Sequence, residues 1–332
     1  MIASPLRRGA PLVVACGTAM ILAVLAAPFV GTTDLSLARV FSRTMPFSDN
    51  VDAQIFFLAR LPRAVAAALV GGTLAAAGVV FQGLLQNPLA TPYTLGVSAG
   101  ASLGAMIAIT FGAAIPVGGV ASASLAGALA AVLIVYALAN GRQRGMSTTV
   151  LLLAGVTLNA FFSALILFVQ YLSDFAETYR ALRWLMGDLD VAGYASILAS
   201  LPFIVVSFLA FTWLARPLNL LSLGREAAGG RGLDVTRTQR VAFFSGSLAT
   251  GAAVAVGGPI GFVGIIVPHL VRLLVGADHR LVLPASTFFG AAFLVACDVV
   301  ARTALAPLEL PVGIITVLIG GPFFLWLLLR RR

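Results

Sequence analysis

Apolar residues run through this chain in long blocks, broken by short stretches rich in arginine, glycine or proline. Windows of about 19 residues place candidate spans at 11–31, 56–84, 93–113, 116–139, 148–173, 193–215, 240–257, 260–276, 281–305 and 311–329. A transmembrane helix needs ~20 residues to cross the hydrocarbon layer, so these ten blocks predict about ten transmembrane helices in an all-α polytopic membrane protein. The first block follows Arg7 and Arg8, as the apolar run of a secretory leader would. It is too long for that run and more spans follow, so it is read as a helix. No soluble domain boundary is visible, and residues 1–332 read as a single transmembrane domain.

Composition narrows the classes. Of 332 residues 60% are hydrophobic and 10% charged, against about 45–50% and about 25% in soluble domains. That excludes a soluble enzyme with a membrane tail, a disordered chain, a disulfide scaffold and a repeat solenoid. All 21 basic residues are arginine. Without lysine the chain has no P-loop amine and no Schiff-base chemistry, so any nucleotide is hydrolysed by another subunit. The net charge of +9 reads as a topology signal, with no nucleic-acid partner implied. Cys16 and Cys297 fall in apolar blocks and read as small buried hydrophobes.

Charges set the expected orientation. With the N-terminus inside, the inner loops hold 14 arginines (Arg7, Arg8, Arg142, Arg144, Arg216, Arg225, Arg231, Arg237, Arg240, Arg272, Arg280 and 330–332) and the outer ones 7 (Arg39, Arg43, Arg60, Arg63, Arg180, Arg183 and Arg302). This bias favours cytoplasmic termini and an even number of spans. Arg60, Arg63 and Arg302 sit at outer span ends against the rule. They either snorkel or pair locally, as Arg302 can with Asp298 one turn earlier, or they form a cationic surface for an acidic partner.

Arg60-Leu-Pro-Arg63 and Arg237-Thr-Gln-Arg240 each open a span rich in small residues that ends at a Gly/Pro break, the first outside and the second inside. This is the echo expected of two inverted five-helix halves. The longest polar stretches are 32–54 and 216–239. Gly96, Gly100 and Gly104 share a helical spacing, as do Gly257 and Gly261, and such faces pack helices closely. Asn87–Pro92 and Gly257–Gly261 interrupt apolar runs with backbone breakers. They are either simple turns or shielded non-helical backbone lining a pathway.

Candidate chemistry is sparse. His269 and His279 lack the carboxylate or cysteine neighbours of a metal site, and no resident metal or cofactor is expected. Asp298 is the one carboxylate placed inside a span, thin support for ion coupling. No nucleophile elbow, HExxH or paired-carboxylate pattern occurs. The inner segment 223–235 is long, charged and partly helix-capable, either a solvated connector or the place where a cytoplasmic partner pushes on the bundle.

Six stretches then carry a resemblance in chain order: RLPR at 60–63, GVVFQGLLQNPLATPYTLGVSAGASLGA at 78–105, STTVLLLAGV at 147–156, WLMGDL at 184–189, GPIGFVGIIVPHLVRLLVGADHR at 258–280, and DVVARTALAPLELPVGIITVLIGGPFFLWLLL at 298–329. Together they resemble the FecCD family of ABC-importer permeases for ferric siderophores, haem and cobalamin. The resemblance implies a ten-helix subunit of the bacterial inner membrane that pairs with a second copy, two cytoplasmic ABC ATPases and a periplasmic substrate-binding protein, with no catalytic role of its own.

By the same resemblance Arg60, Arg63 and Arg302 match residues that dock the binding protein. Asn87, Leu89, Thr148 and Thr149 match a cytoplasmic gate. Within a coupling segment at 221–236, Leu223, Gly224, Arg225, Glu226, Ala227, Ala228 and Gly232 match residues that engage the ATPase. Arg231 stands where the family carries leucine, and Gly229-Gly230 weakens the helix by ~1 kcal/mol per glycine relative to alanine. A ferric siderophore is the expected cargo, with haem or cobalamin as alternatives. An ion-coupled secondary transporter working through Asp298 is the rival class.

Overall fold

The structure is a computed structural model that describes residues 5–42, 45–112, 119–139, 147–190 and 193–330. Arg43, Arg142, Arg144, Arg331 and Arg332, which enter the charge count, lie outside the described residues. Helix α1 (Pro5–Ala26) runs into a 3-10 turn, Ala27–Phe29, and two short helices, α2 (Leu37–Val40) and α3 (Val51–Gln54), follow. A π-helical turn over Ile55–Arg60 joins α3 to α4 (Leu61–Leu85) as one apolar span of 35 residues. Then come α5 (Val97–Thr110), α6 (Gly119–Ala139), α7 (Thr148–Leu172), α8 (Phe175–Leu185) and α9 (Ala195–Leu221). The chain finishes with α10 (Arg225–Gly230), α11 (Val235–Gly257), α12 (Val263–Val275), α13 (His279–Thr303) and α14 (Val312–Arg330).

Each apolar block of the sequence holds a helix, and among the described residues seven are long and apolar enough to cross a membrane. Helices α5 and α12 have 14 and 13 residues, about 20 Å of rise against a hydrocarbon core of ~30 Å. Helix α14 has 19 residues, Val312–Arg330, and its sequence is apolar as far as Leu329. Polar caps start several helices: Ser147 accepts from Val150 N, Asp234 from Arg237 N, and Asp174 and Glu177 form a reciprocal capping box. Gln86, at φ 49°, ends α4 in the left-handed region.

Helix α4 is the buried axis of the bundle and packs on α13, α11, α12 and α9. Its small residues let backbones meet. A Cβ at Gly71 would run into the Gly290 carbonyl of α13, and one at Gly78 into Gly264 of α12. The spacing of Gly100 and Gly104 does pack α5 on α6, against Gly127 and Ala123. Gly96 instead caps α5 with φ 81°, and Gly261 lies in a break beyond the end of α11, so neither belongs to a continuous helical face.

The neighbour relations repeat along the chain. Helix α4 contacts α12 and α13 while α11 contacts α5 and α6; α5 contacts α6 and α7 while α12 contacts α13 and α14. Large apolar side chains also cover much of the outside, among them Leu153, Phe161, Phe168 and Leu172 on α7 and Leu198 and Leu209 on α9. With so apolar an exterior this is a multi-pass membrane protein.

Candidate functional site

Two non-helical segments meet inside the bundle. After α4 the chain turns through Asn87–Ala90, where Asn87 Oδ1 accepts from Leu89 N at 2.9 Å, then makes a 3-10 turn at Pro92–Leu95 before α5. After α11, Gly258 at φ 67° and Phe262 at φ 66° bracket a break before α12. Phe262 is a bulky residue in a region that favours glycine, and its ring lies against Gly320, whose missing side chain makes the room. Tyr93 joins the breaks: its hydroxyl donates to the Ile260 carbonyl at 2.7 Å and accepts from Ile260 N–H at 3.0 Å. Asn159 on α7 donates to the Tyr93 carbonyl at 2.9 Å, and Gly155 lets α7 approach Leu95 closely. Of the two alternatives for these segments, residues 90–91 and 258–261 are largely buried non-helical backbone, whereas residues 87–89 form a turn with Pro88 and Leu89 exposed.

Beside Tyr93 lies a cavity of about 500 Å³ between α5, α7 and α8. Ser98, Ser102, Asn159, Ser163 and Gln170 line it, with no charged side chain among its lining residues. Such a wall offers hydrogen bonds without a deep electrostatic well, which suits passage more than storage.

The arginines expected to dock a partner are turned inward. Arg60, Arg63 and Arg302 are 7%, 8% and 3% exposed, and Asp298 is fully buried. Asp298 pairs with Arg63 through Oδ1 at 2.9 Å and with Arg302 through Oδ2 at 3.1 Å. Arg63 also pairs with Glu309 at 2.6 Å. Arg302 donates to the carbonyls of Val30 and Ala27, and Arg60 donates to those of Pro28 and Thr33. Two cations and two anions thus close an internal network, and one of them, Arg302, joins Arg60 in clamping residues 27–33. The expected Asp298–Arg302 pairing is present, but Arg63, 235 residues away in sequence, completes it.

At the other end of α4, Gln82 donates to the Gly264 carbonyl and accepts from Arg272, while Gln86 donates to the Leu221 carbonyl. The Asn87 turn is therefore tied to the foot of α9, next to α10. Thr148 is half-buried and Thr149 exposed in the first turn of α7, two turns before Gly155.

Helix α10 forms despite its glycines. Gly232 N–H donates to the Gly229 carbonyl and Leu233 N–H to the Ala228 carbonyl, with Gly232 at φ 81°. That is a Schellman closure, and it satisfies carbonyls a glycine-rich helix would otherwise leave open. Ala228 is buried, and Leu223, Glu226, Ala227, Gly229, Gly230 and Arg231 are exposed. Arg225 donates to Gln239 at 2.6 Å, so α10 projects as a short knob anchored on α11. His279 is bonded to Asn219, and no cluster of metal-ligating residues occurs among the described residues.

Tyr93 and Glu309 were not singled out in the sequence. Tyr93 stands in a quoted motif beside the Gly/Pro break, which is the signal that points to it. Glu309 also stands in a quoted motif, between Pro307 and Pro311, but its partner Arg63 lies on another helix, which the motif does not disclose.

Comparison with known proteins follows the same outline. The FecCD transport family matches residues 19–330. A cobalamin import system permease protein, BtuC, of Halobacterium salinarum is 44% identical over 90% of this chain and 79% of its own. A hemin transport system permease protein, HmuU, of Yersinia pestis is 38% identical over 95% of each. An ABC transporter permease protein of Bacillus subtilis, YvrB, itself uncharacterized, is 41% identical over 88% of this chain and 83% of its own. Among solved structures, an inward-facing ABC transporter provisionally described as of metal-chelate type superposes with a TM-score of 0.82 at 32% identity, covering 96% of this chain and 99% of that one.

Proposed function

The chain belongs to the FecCD transport family of ABC importer permeases, and from that premise we propose that two copies pair around a path carrying a bulky metal chelate inward across a bacterial inner membrane. The observation that carries this reading is the uncharged cavity at Tyr93, set where two discontinuous helices meet. Discontinuous helices at a bundle's centre are a common construction for substrate paths. Ten spans, cytoplasmic termini and inverted halves fit the 14-to-7 arginine bias and the repeated neighbour relations.

Helix α10 is proposed as the coupling element for a separate ATPase subunit, one beneath each copy. Asn87, Leu89, Thr148 and Thr149 are proposed as the cytoplasmic gate. Docking of a periplasmic binding protein is proposed to use Arg63, which can exchange Glu309, 41% exposed at its side chain, for an acid of the partner. Arg60 and Arg302 act behind it by shaping residues 27–33. The internally balanced Asp298 speaks against an ion-driven carrier, which needs a carboxylate able to release its charge.

A ferric siderophore is the proposed cargo. The names of the hemin and cobalamin relatives favour a second reading, a tetrapyrrole chelate. Proteoliposomes holding this chain with its ATPase and binding protein test both by ATP-dependent uptake of ferric siderophore, haem and cobalamin. Accumulation of one chelate identifies the cargo. Uptake driven by a proton or sodium gradient without ATP would sink the importer reading.

A further inference from the structure

A second groove, of about 720 Å³, lies between α9 and α13, apart from the Tyr93 cavity. Its walls are apolar, formed by Phe208 and Phe211 of α9 and by Leu283 and Phe288 of α13. About two turns along, at the end of α9 and the start of α13, the lining changes to Arg216 and Arg280. Trp213 lies on this rim, 46% exposed, and the guanidinium of Arg237 from α11 sits over its ring at 5.8 Å. Arginines of α9 and α13 thus line the rim, and a third, from α11, sits over its aromatic ring. The acid in contact is Asp278, which pairs with Arg280 at 2.7 Å. Arg280, with Asn219 assisting, holds the Asp278 carboxyl well below the usual carboxylate range, so it stays ionised and offsets one of the three positive charges.

This division of chemistry selects the occupant. A soluble anion has no use for about 12 Å of phenyl-lined trough, and a bare alkyl chain has none for two uncompensated arginines. An amphiphile uses both. Tryptophan at a helix end also marks the depth of lipid head groups. We propose that this groove binds a phospholipid with an anionic head group, its phosphate held by Arg216 and Arg237 and an acyl chain laid along Phe208, Phe211 and Phe288. The lipid bridges α9 to α13 directly above α10, because α9 leads into α10 through residues 222–224 alone. Assignment of the site to the cytoplasmic leaflet rests on the orientation proposed above; the binding site itself does not.

Trp213 is one of three tryptophans, so the full chain carrying Trp184→Phe and Trp326→Phe reports from the groove alone. In phosphatidylcholine nanodiscs doped with brominated phosphatidylglycerol or brominated phosphatidylcholine, the anionic lipid is expected to quench Trp213 at a several-fold lower mole fraction. Arg216→Gln and Arg237→Gln are each expected to reduce that preference about fivefold. Equal quenching by the two lipids at equal mole fraction overturns the proposal, and this comparison needs no arginine variant to fold. Because the readout involves no transport, its failure is separate from failure of the importer reading.

Discussion

Tyr93 and Ile260 exchange two hydrogen bonds across 167 residues of sequence, and through them the break before α5 is fastened to the break before α12. One phenol satisfies both backbone groups of a residue that has no side-chain exposure to solvent. With Asn159 on the Tyr93 carbonyl, both breaks and α7 are fixed at one level beside the cavity.

Tyr93→Phe keeps the ring and removes both bonds. Each buried backbone group left without a partner costs about 1–3 kcal/mol, so a clearly lower melting temperature in detergent is expected, together with slower uptake in proteoliposomes. An unchanged melting temperature would show that water or a neighbour replaces the phenol and that the fastening is dispensable.

Asp298→Asn leaves Arg63 and Arg302 buried with one carboxylate between them. Removing one partner from a buried ion pair costs about 3–5 kcal/mol. The expected result is poor yield and early thermal unfolding, while the folded fraction keeps ATP-driven uptake. Loss of uptake per folded molecule with normal stability would instead revive a carrier that works through Asp298.

Glu309→Gln separates docking from architecture. Glu309 competes inside the chain for Arg63 Nη1. If Arg63 receives an acidic partner, removing the competitor tightens binding-protein affinity by up to about fivefold, the span of a partly exposed ion pair, and added salt erases the gain. Unchanged affinity in a binding titration would confine Arg63 to the internal network.

Two glycines of α10 are expected to behave oppositely. Gly232 sits at φ 81°, so Gly232→Ala strains the Schellman closure by about 1–2 kcal/mol and lowers ATPase co-purification. Gly229 has open space at its Cβ, so Gly229→Ala firms the helix by about 0.4–1 kcal/mol and preserves ATPase binding. Equal loss in both variants would mean that the ATPase reads the bare backbone at 229 rather than the shape of the knob.

Much of this was legible before the fold was known. Span positions follow from block length, and both breaks follow from clustered glycine and proline. The knob at α10 is legible from its charge, although Gly229-Gly230 pointed to a poorer helix than the one that forms. The capping geometry that rescues it depends on the left-handed conformation of Gly232, which spacing alone does not disclose. The inward turn of Arg60, Arg63 and Arg302 was hidden for a different reason. A sequence reveals which residues share a helix face, as Asp298 and Arg302 do. It is silent on which other helix supplies the opposing charge, and the carbonyls of residues 27–33 carry no signature at all.

The glycine contacts along α4 have a mechanical meaning. Where Gly71 meets Gly290 and Gly78 meets Gly264, backbone touches backbone with no side chain between to change rotamer. Such a seam slides or separates as a whole but does not give by degrees, so α4, α12 and α13 form the rigid chassis of the chain. Compliance is left to the partly exposed segments outside that seam, the Asn87 turn and the foot of α7, and under the coupling role proposed for α10 displacement delivered there would be spent in them.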